Sequence, residues 1–123
     1  MARDFKKIIV WQKADDLAVA IYGITHSYFP DAEKYGLTSQ IRRAAVSVAA
    51  NIAEGSGRHT PADFLRFLGF AQGSLSEVEY HLHLAHRLGY VDDAVYQNLE
   101  DQRAEVGRVL TGFIKAVRKQ KNA

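Results

Sequence analysis

Apolar residues recur every three or four positions along most of the chain, which is the spacing of one face of an α-helix. The first such stretch covers residues 10–28 and stops before Pro30, which has no backbone N–H to donate within a helix. The second covers residues 38–55 and ends near Gly55 and Gly57, because glycine readily adopts the left-handed conformation that closes many helices. No stretch shows the two-residue alternation of a half-buried strand. The pattern therefore predicts an all-α fold.

The third and fourth periodic stretches are the longest, and the third has the clearest start. Thr60 is a favourable N-cap and Pro61 suits the first helical position, so we expect a helix over residues 61–88. A fourth helix is expected over residues 93–119. Connections of only a few residues force consecutive helices to run in opposite directions. The sequence therefore predicts one domain, residues 1–123, folded as an antiparallel up-down-up-down four-helix bundle.

The second predicted helix carries a polar stripe within an arc of about 80°, given that each residue turns the helix by about 100°. A solvated face and a hydrogen-bonded seam against another helix both explain such a stripe. In the second interpretation, a polar residue of the third helix such as Glu77 faces it. The residues of this polar seam are Gln40, Arg43, Ser47, Asn51 and Glu54 on the second helix and Glu77 on the third.

The third predicted helix has a second stripe beside its core-facing one, and this stripe mixes large aromatic rings with a carboxylate and an imidazole. A single four-helix core does not shelter both stripes, and exposed phenylalanines are unfavourable in a soluble monomer. The physical argument favours a subunit interface, and an unusually broad core face is the alternative. The candidate interface residues are Phe67, Phe70, Ser74 and His81.

Four glycines, Gly69, Gly73, Gly107 and Gly112, interrupt the last two predicted helices. Each costs up to about 1 kcal/mol relative to alanine in a helix interior. A close backbone approach or a kink is the structural reason that we expect for them.

Composition narrows the environment of the protein. The chain contains no cysteine, which excludes disulfide bonds, thiolate metal sites and cysteine nucleophiles. A reducing compartment fits this composition, so we expect a cytoplasmic location. Residues 1–10 hold only a short apolar run after four charged side chains, too short for a signal peptide or a membrane span. No contact with a membrane is expected.

Basic side chains occur in local clusters. The formal net charge is only +2, so any affinity for nucleic acid must come from such clusters. In an antiparallel bundle the two termini lie at the same end, and a symmetric oligomer would join copies of their basic patch into a ring that binds phosphates. Solvated termini are the alternative. The candidate nucleic-acid contacts are Arg42, Arg43, Arg58, Lys115 and Arg118.

Patterns of catalytic or metal-binding residues are weak. Glu79, His83 and His86 share one helical face, but the Glu-x-x-His pairs of di-iron bundles are missing. Residues 54–58 are rich in glycine, yet they follow a helix and lack the Gly-Lys-Ser/Thr ending of a phosphate-binding loop. No serine has a base and an orienting group assigned by a motif. We therefore expect no catalytic residue, no metal and no cofactor, and we expect that the chain is not an enzyme.

Several segments together resemble one family. They are residues 10–14 (VWQKA), 35–47 (YGLTSQIRRAAVS), 51–58 (NIAEGSGR), 67–68 (FL) and 88–90 (LGY). This combination is similar to the bacterial four-helix-bundle proteins encoded within intervening sequences of 23S ribosomal RNA, and it covers nearly the whole chain. The polar-seam residues occupy motif positions of that family.

The resemblance implies a homopentamer and no established catalytic activity. It also implies a relationship to the accessory proteins of diversity-generating retroelements, which are basic barrels that bind nucleic acid and a reverse transcriptase. We therefore expect a non-enzymatic, homo-oligomeric binding module for structured RNA or DNA, with a reverse transcriptase as a candidate protein partner. A protein-interaction adaptor or structural oligomer without nucleic-acid binding is the alternative.

Overall fold

The computed structural model describes residues 3–122, and this part of the chain contains helices and no strand. Its four long helices are α1 (Ile9–Tyr28), α2 (Leu37–Ser56), α3 (Pro61–Arg87) and α4 (Asp93–Asn122). Short 3-10 helices, Phe5–Lys7 and Asp31–Glu33, precede α1 and α2. None of these helices is both long and apolar enough to span a membrane. The prediction of an all-α fold with four helices is confirmed.

Side-chain hydrogen bonds account for the starts of α2, α3 and α4. Thr60 Oγ1 accepts a hydrogen bond from the backbone N–H of Asp63 at 3.1 Å, which makes Thr60 the N-cap of α3. Asp92 caps α4 in the same way, at 2.8 Å. The acceptor for α2 comes from the preceding 3-10 helix, because Glu33 Oε1 accepts a hydrogen bond from the backbone N–H of Leu37 at 3.0 Å. The start of α2 therefore depends on a carboxylate outside the helix itself.

Each helix packs against two neighbours around a shared interior. Helices α1 and α3 each contact both α2 and α4, whereas residues 3–122 show no packing of α1 on α3 or of α2 on α4. The largest fully buried side chains are Val10, Leu17, Ile21, Ile41, Val48, Ile52, Phe64, Leu68, Val78, Leu82, Leu99 and Leu110. The apolar faces with three- and four-residue spacing thus form one hydrophobic core.

The contacts between α2 and α3 occur in opposite order along the two helices. Ser47 of α2 contacts Ser74 of α3, whereas Gly55, two turns later in α2, lies against Phe64 near the start of α3. Phe64 in turn packs on Phe113 in the later part of α4, with the ring centroids 5.6 Å apart. Short connections between helices require this order of contacts.

The two ends of the molecule are closed by different contacts. At the connection end, where α1 meets α2 and α3 meets α4, the Tyr90 hydroxyl donates a hydrogen bond to Glu33 Oε2 at 2.7 Å. The ring of Tyr90 also lies 5.6 Å from that of Phe29. At the other end, which we call the terminal end, the backbone N–H of Arg3 donates to the carbonyl of Ser56 at 3.2 Å. The beginning of the described chain is therefore attached to the last turn of α2.

The four glycines of α3 and α4 have no close neighbour that explains them. A Cβ atom built at Gly69, Gly73 or Gly112 has no described atom within 4 Å other than those of its own helix backbone and chain neighbours. At Gly107 it would meet Leu75 Cδ2 at 3.4 Å, the limit of ordinary contact. The predicted close backbone approach at these positions is therefore wrong within the protomer.

The close approach of two helices occurs instead at Gly55. A Cβ atom there would lie 2.8 Å from both Phe64 Cδ1 and Phe67 Cβ, far inside van der Waals contact. The sequence suggested only that Gly55 ends α2, but the helix continues through it to Ser56. This glycine lets the end of α2 rest directly on the aromatic side chains that begin α3.

Candidate functional site

Three polar side chains form a hydrogen-bonded contact between α2 and α3. Ser74 Oγ donates a hydrogen bond to Ser47 Oγ at 2.9 Å. Asn51 Nδ2 donates to the same oxygen at 3.0 Å and to the carbonyl of Ser47 at 2.9 Å. Ser74 is only 8% exposed, so this contact satisfies a hydroxyl that is largely removed from water. The middle of the polar seam is therefore a real interhelical contact.

The remaining members of the polar seam behave differently. Within residues 3–122, Gln40, Arg43 and Glu77 make no side-chain hydrogen bond and no ion pair. Glu54 Oε1, near the end of α2, accepts a hydrogen bond at 2.7 Å from Nη2 of Arg58, which follows that helix. The hydrogen-bonded partner that α3 supplies to the seam is thus Ser74 rather than Glu77, and the ends of the seam remain open to solvent.

The candidate interface residues of α3 differ in exposure. Phe70 is 50% exposed, whereas Phe67 is half-buried beneath two guanidinium groups, those of Arg58 at 4.5 Å and Arg66 at 4.8 Å from the ring centroid. Ser74, as described above, is used inside the protomer. Of these positions, Phe70 offers the largest apolar surface to another molecule.

His81, the fourth candidate interface residue, is half-buried. Its Nδ1 atom is buried and has no hydrogen-bond partner among the described residues. Burial lowers the pKa of the His81 imidazole below its ordinary value, and the nearby Glu77 carboxylate opposes part of that effect. The side chain is therefore held in an environment that disfavours its charged form.

A groove of about 670 Å³ lies between α1 and α2 near the connection end. Its charged lining residues are all cations, Lys34, Arg42 and Arg43, and its aromatic lining residues are Tyr22 and Tyr35. The rest of the lining consists of small, hydroxyl-bearing or aliphatic side chains. We call it the α1–α2 groove. Its positive charge is local, because the chain as a whole carries only +2.

Arg42 is anchored in this groove by a hydrogen bond and an aromatic contact. Its Nε donates a hydrogen bond to Thr25 Oγ1 at 2.8 Å, and Thr25 is itself anchored by donating to the carbonyl of Ile21 at 2.8 Å. The guanidinium also lies 4.5 Å from the ring centroid of Tyr22, a cation–π contact. Because Nε and the ring fix its plane, Arg42 presents a preorganised cation to the groove.

Lys34, Tyr35 and Arg43 are exposed members of the groove lining. Tyr35 is 88% exposed, the most exposed of the large hydrophobic side chains in the described chain. The ammonium of Lys34 lies 5.5 Å from its ring centroid. Lys34 and Arg43 are exposed and make no ion pair within residues 3–122, so their charges remain available to a ligand.

The five candidate nucleic-acid contacts fall into two separate groups. Arg42 and Arg43 lie in the α1–α2 groove, whereas Arg58, Lys115 and Arg118 belong to the terminal end. Arg43 and the last residue of α2 are 13 positions apart, which corresponds to about 20 Å of helix. Arg58 is moreover paired with Glu54 at 2.7 Å and lies 3.8 Å from an Asp63 carboxylate oxygen. A single protomer therefore does not bring the five side chains together at one compact site.

Two of the three side chains considered for metal binding, Glu79 and His86, have other partners. Glu79 pairs with Arg103 at 3.2 Å, and His86 Nε2 lies 2.6 Å from Asp93 Oδ1. Within residues 3–122, no group of three or more His, Cys, Asp or Glu side chains has the arrangement needed to hold a metal ion.

Sequence reasoning missed the aromatic half of the α1–α2 groove. The sequence pattern places Tyr35 only in a turn, and Tyr22 lies on a different helix from the arginines. A signal for the first existed, since Lys34-Tyr35 precedes Arg42-Arg43 by eight residues. No local signal links Tyr22 to Arg42, because their contact depends on how α1 packs against α2.

The chain is similar in sequence to one protein family and in structure to a solved protein. The sequence model of the 23S rRNA-intervening sequence protein family matches residues 6–112, which include all of α1, α2 and α3 and most of α4. A crystal structure of a protein of unknown function from the S23 ribosomal protein family of Bacteroides thetaiotaomicron superposes with a TM-score of 0.80 and is 28% identical. The alignment covers 86% of this chain and 98% of that one. No curated protein matches the sequence.

Proposed function

The chain belongs to the family of 23S rRNA-intervening sequence proteins, and on that premise we propose that it is a non-enzymatic, homo-oligomeric module that binds structured RNA or DNA. Its scaffold in this proposal is an antiparallel up-down-up-down four-helix bundle. The observation that carries the proposal is the α1–α2 groove, in which every charged lining side chain is a cation and two tyrosines lie among them.

Charge and aromatic surface in one groove are the two features that nucleic acids engage. Guanidinium and ammonium groups neutralise phosphates and release condensed counterions, which supplies most of the affinity of sequence-independent binding. Aromatic rings add stacking with bases. Because Thr25 and Tyr22 already hold Arg42 in place, phosphate binding there costs little additional side-chain ordering.

Self-association is the second part of the proposal. Phe70 of α3 and Leu88, the residue that follows α3, are each 50% exposed. Apolar surface of this kind is typical of contacts between protein subunits. We propose that this face of α3 packs against another copy of the chain, in the homopentamer that the family resemblance suggests.

The same exposed face favours the second candidate function. If Phe70 and Leu88 dock a different protein, the chain acts as an interaction adaptor and the basic side chains serve only solubility. Sedimentation at micromolar concentration separates the two. The proposal expects a species larger than the 13.8 kDa chain that Phe70→Ser dissociates. Val19→Ser, at an exposed position on α1, is the control and should leave the assembly intact. A wild-type protein that sediments as a monomer overturns this part of the proposal.

Nucleic-acid binding is tested by titrating a labelled RNA hairpin and a labelled DNA hairpin with protein at several salt concentrations. The double variant Lys34→Gln/Arg43→Gln removes two groove cations that make no ion pair within residues 3–122, so the fold should be unaffected. The matched control Lys115→Gln/Arg118→Gln removes the same charge from the last turns of α4.

Removal of the groove cations should weaken binding to both hairpins and reduce the slope of log K against log salt by about one unit for each phosphate that is no longer neutralised. The control should leave most of the affinity in place. The absence of binding by the wild type at low ionic strength refutes the proposed function. Equally weakened binding in the two double variants would show that the groove is not the principal binding site.

A further inference from the structure

We propose that the α1–α2 groove binds unpaired nucleotides, with a base stacked on Tyr35 and the adjoining phosphates held by Lys34, Arg42 and Arg43. This inference rests on the proposed function and narrows its ligand from structured nucleic acid in general to the unpaired segments of such molecules. The shared chemistry is a phosphodiester strand with accessible bases, whether RNA or DNA.

The exposure of Tyr35 supports stacking with an unpaired base. Its ring is 88% exposed and belongs to the lining of a cationic groove, so it lies where a bound strand would pass. Bases within a duplex are covered by their neighbours in the stack, and a ring on a protein surface does not reach their faces. Unpaired bases in loops and single strands present those faces and stack readily on tyrosine.

Arg42 and Tyr22 provide a second flat surface in the groove. The guanidinium is stacked on Tyr22, and the hydrogen bond from its Nε to Thr25 sets its orientation. Guanidinium planes stack on unpaired bases and also donate hydrogen bonds to phosphate oxygens. The groove therefore combines a free aromatic ring with a fixed planar cation.

The size and charge of the groove fit a short stretch of nucleotides. Its volume of about 670 Å³ lies within the range of about 300–1,000 Å³ that is usual for pockets binding small ligands. The nearest carboxylate along the chain, Glu33, accepts hydrogen bonds from the N–H of Leu37 and the hydroxyl of Tyr90, which lower its pKa and keep it ionised, but it is not part of the groove lining. Among the described residues, no acidic side chain lines the groove itself. Asp31 lines an adjoining depression that shares three lining residues with the groove, so the acidic side chains lie at its edge rather than in its walls.

The test compares three labelled probes of equal length at one salt concentration, measured by fluorescence anisotropy. They are single-stranded oligo(U) RNA, single-stranded oligo(dT) DNA and a blunt RNA duplex. The variant Tyr35→Leu removes the ring at a solvent-exposed position, where the fold should tolerate the change. Tyr28→Leu removes a half-exposed ring of α1 outside the groove and is the matched control.

We expect the wild type to bind a single strand at least about fivefold more tightly than the duplex, because one stacked base contributes that much or more. Tyr35→Leu should weaken single-strand binding about 5- to 100-fold. It should leave duplex binding and its salt dependence unchanged. Tyr28→Leu should bind all three probes as tightly as the wild type does. The difference between the RNA and DNA strands identifies the source of the strand.

Duplex binding as tight as single-strand binding would overturn the inference while leaving the proposed function intact. Unchanged single-strand binding by Tyr35→Leu would overturn it in the same way. Failure of all three probes to bind would instead refute the proposed function itself.

Discussion

Replacing Gly55 by alanine tests how closely α2 and α3 pack. The added Cβ would lie 2.8 Å from Phe64 Cδ1 and from Phe67 Cβ. Phe64 is fully buried, so its ring has nowhere to move, and Phe67 Cβ is bonded directly to the α3 backbone. The helices must therefore separate locally by about 0.7 Å to reach the carbon–carbon separation of about 3.5 Å at which attraction begins to dominate.

The magnitude follows from two opposing contributions. Overfilling a packed core costs about 1–3 kcal/mol of stability. Because neither neighbouring atom at Gly55 can move away easily, we expect a cost of about 2–3 kcal/mol there. Alanine returns up to about 1 kcal/mol through its higher helix propensity. Gly55→Ala should thus lower the free energy of unfolding by about 1–2 kcal/mol. Gly69→Ala is the matched control, since its Cβ meets nothing within 4 Å, and it should raise the same quantity by about 0.5–1 kcal/mol.

Urea unfolding followed by circular dichroism measures both variants, at equal protein concentration because the stability of an oligomer depends on it. With a denaturant dependence of about 2 kcal/mol per molar urea, the two midpoints should differ by about 1 M. The slope of each transition should match that of the wild type. If Gly55→Ala proves as stable as Gly69→Ala, the helices do not approach each other as closely as the structure places them.

Three further outcomes follow from individual contacts. Ser47→Ala and Ser74→Ala should each lower the free energy of unfolding by about 1 kcal/mol. The double variant should cost less than their sum, because Ser47→Ala alone already removes the acceptor of the buried Ser74 hydroxyl, whereas Ser74→Ala leaves Ser47 bonded to Asn51; fully additive costs in urea unfolding would contradict this. Tyr90→Phe should lower the urea midpoint near neutral pH, and the difference should shrink in acid. The hydrogen bonds to Glu33 lower the pKa of its carboxyl group. Their contribution to stability is therefore present above the ordinary pKa near 4.5 and disappears as the pH falls through the lowered pKa. A difference in urea midpoint that does not change with pH would contradict this explanation. Burial lowers the pKa of His81, so the wild type should lose stability as the pH falls from the ordinary value near 6.5 through the lowered value. The stability of His81→Gln should depend less on pH between about pH 7.5 and 5. Identical profiles of stability against pH would refute the lowered pKa of His81.

The helices were predictable because their signals are local. Thr60 and Pro61 predict the start of α3, and in the structure the Thr60 side chain forms the predicted N-cap hydrogen bond. The start of α2 was less accessible, because its cap is the carboxylate of Glu33, four residues earlier in a separate 3-10 helix. Such a cap exists only once the connection has folded, and no periodic pattern encodes it.

The glycines show where sequence reasoning fails for a physical reason. Gly69 and Gly55 have the same propensity cost, and the sequence does not tell which of them faces a neighbouring helix. In the structure, a Cβ atom added at Gly69 would meet no atom within 4 Å, whereas one added at Gly55 would collide with the side chains of Phe64 and Phe67. Likewise Arg42 and Arg43 were predicted as a basic pair, whereas Tyr22 joins them only through the packing of α1 on α2.

The position of the basic groups separates the two parts of the proposed function. Arg42 and Arg43 lie within one protomer's groove, so stacking and phosphate binding there need no second copy. Lys115 and Arg118 lie at the far end of the molecule, so a ligand that touches both groups must extend along the protomer or bridge two protomers. Dissociating the oligomer with Phe70→Ser should therefore preserve the contribution of Tyr35 to single-strand binding. The salt dependence, in contrast, should decrease because neighbouring copies no longer neutralise phosphates of the same strand. If dissociation abolishes both effects together, the binding site lies between protomers rather than in the groove.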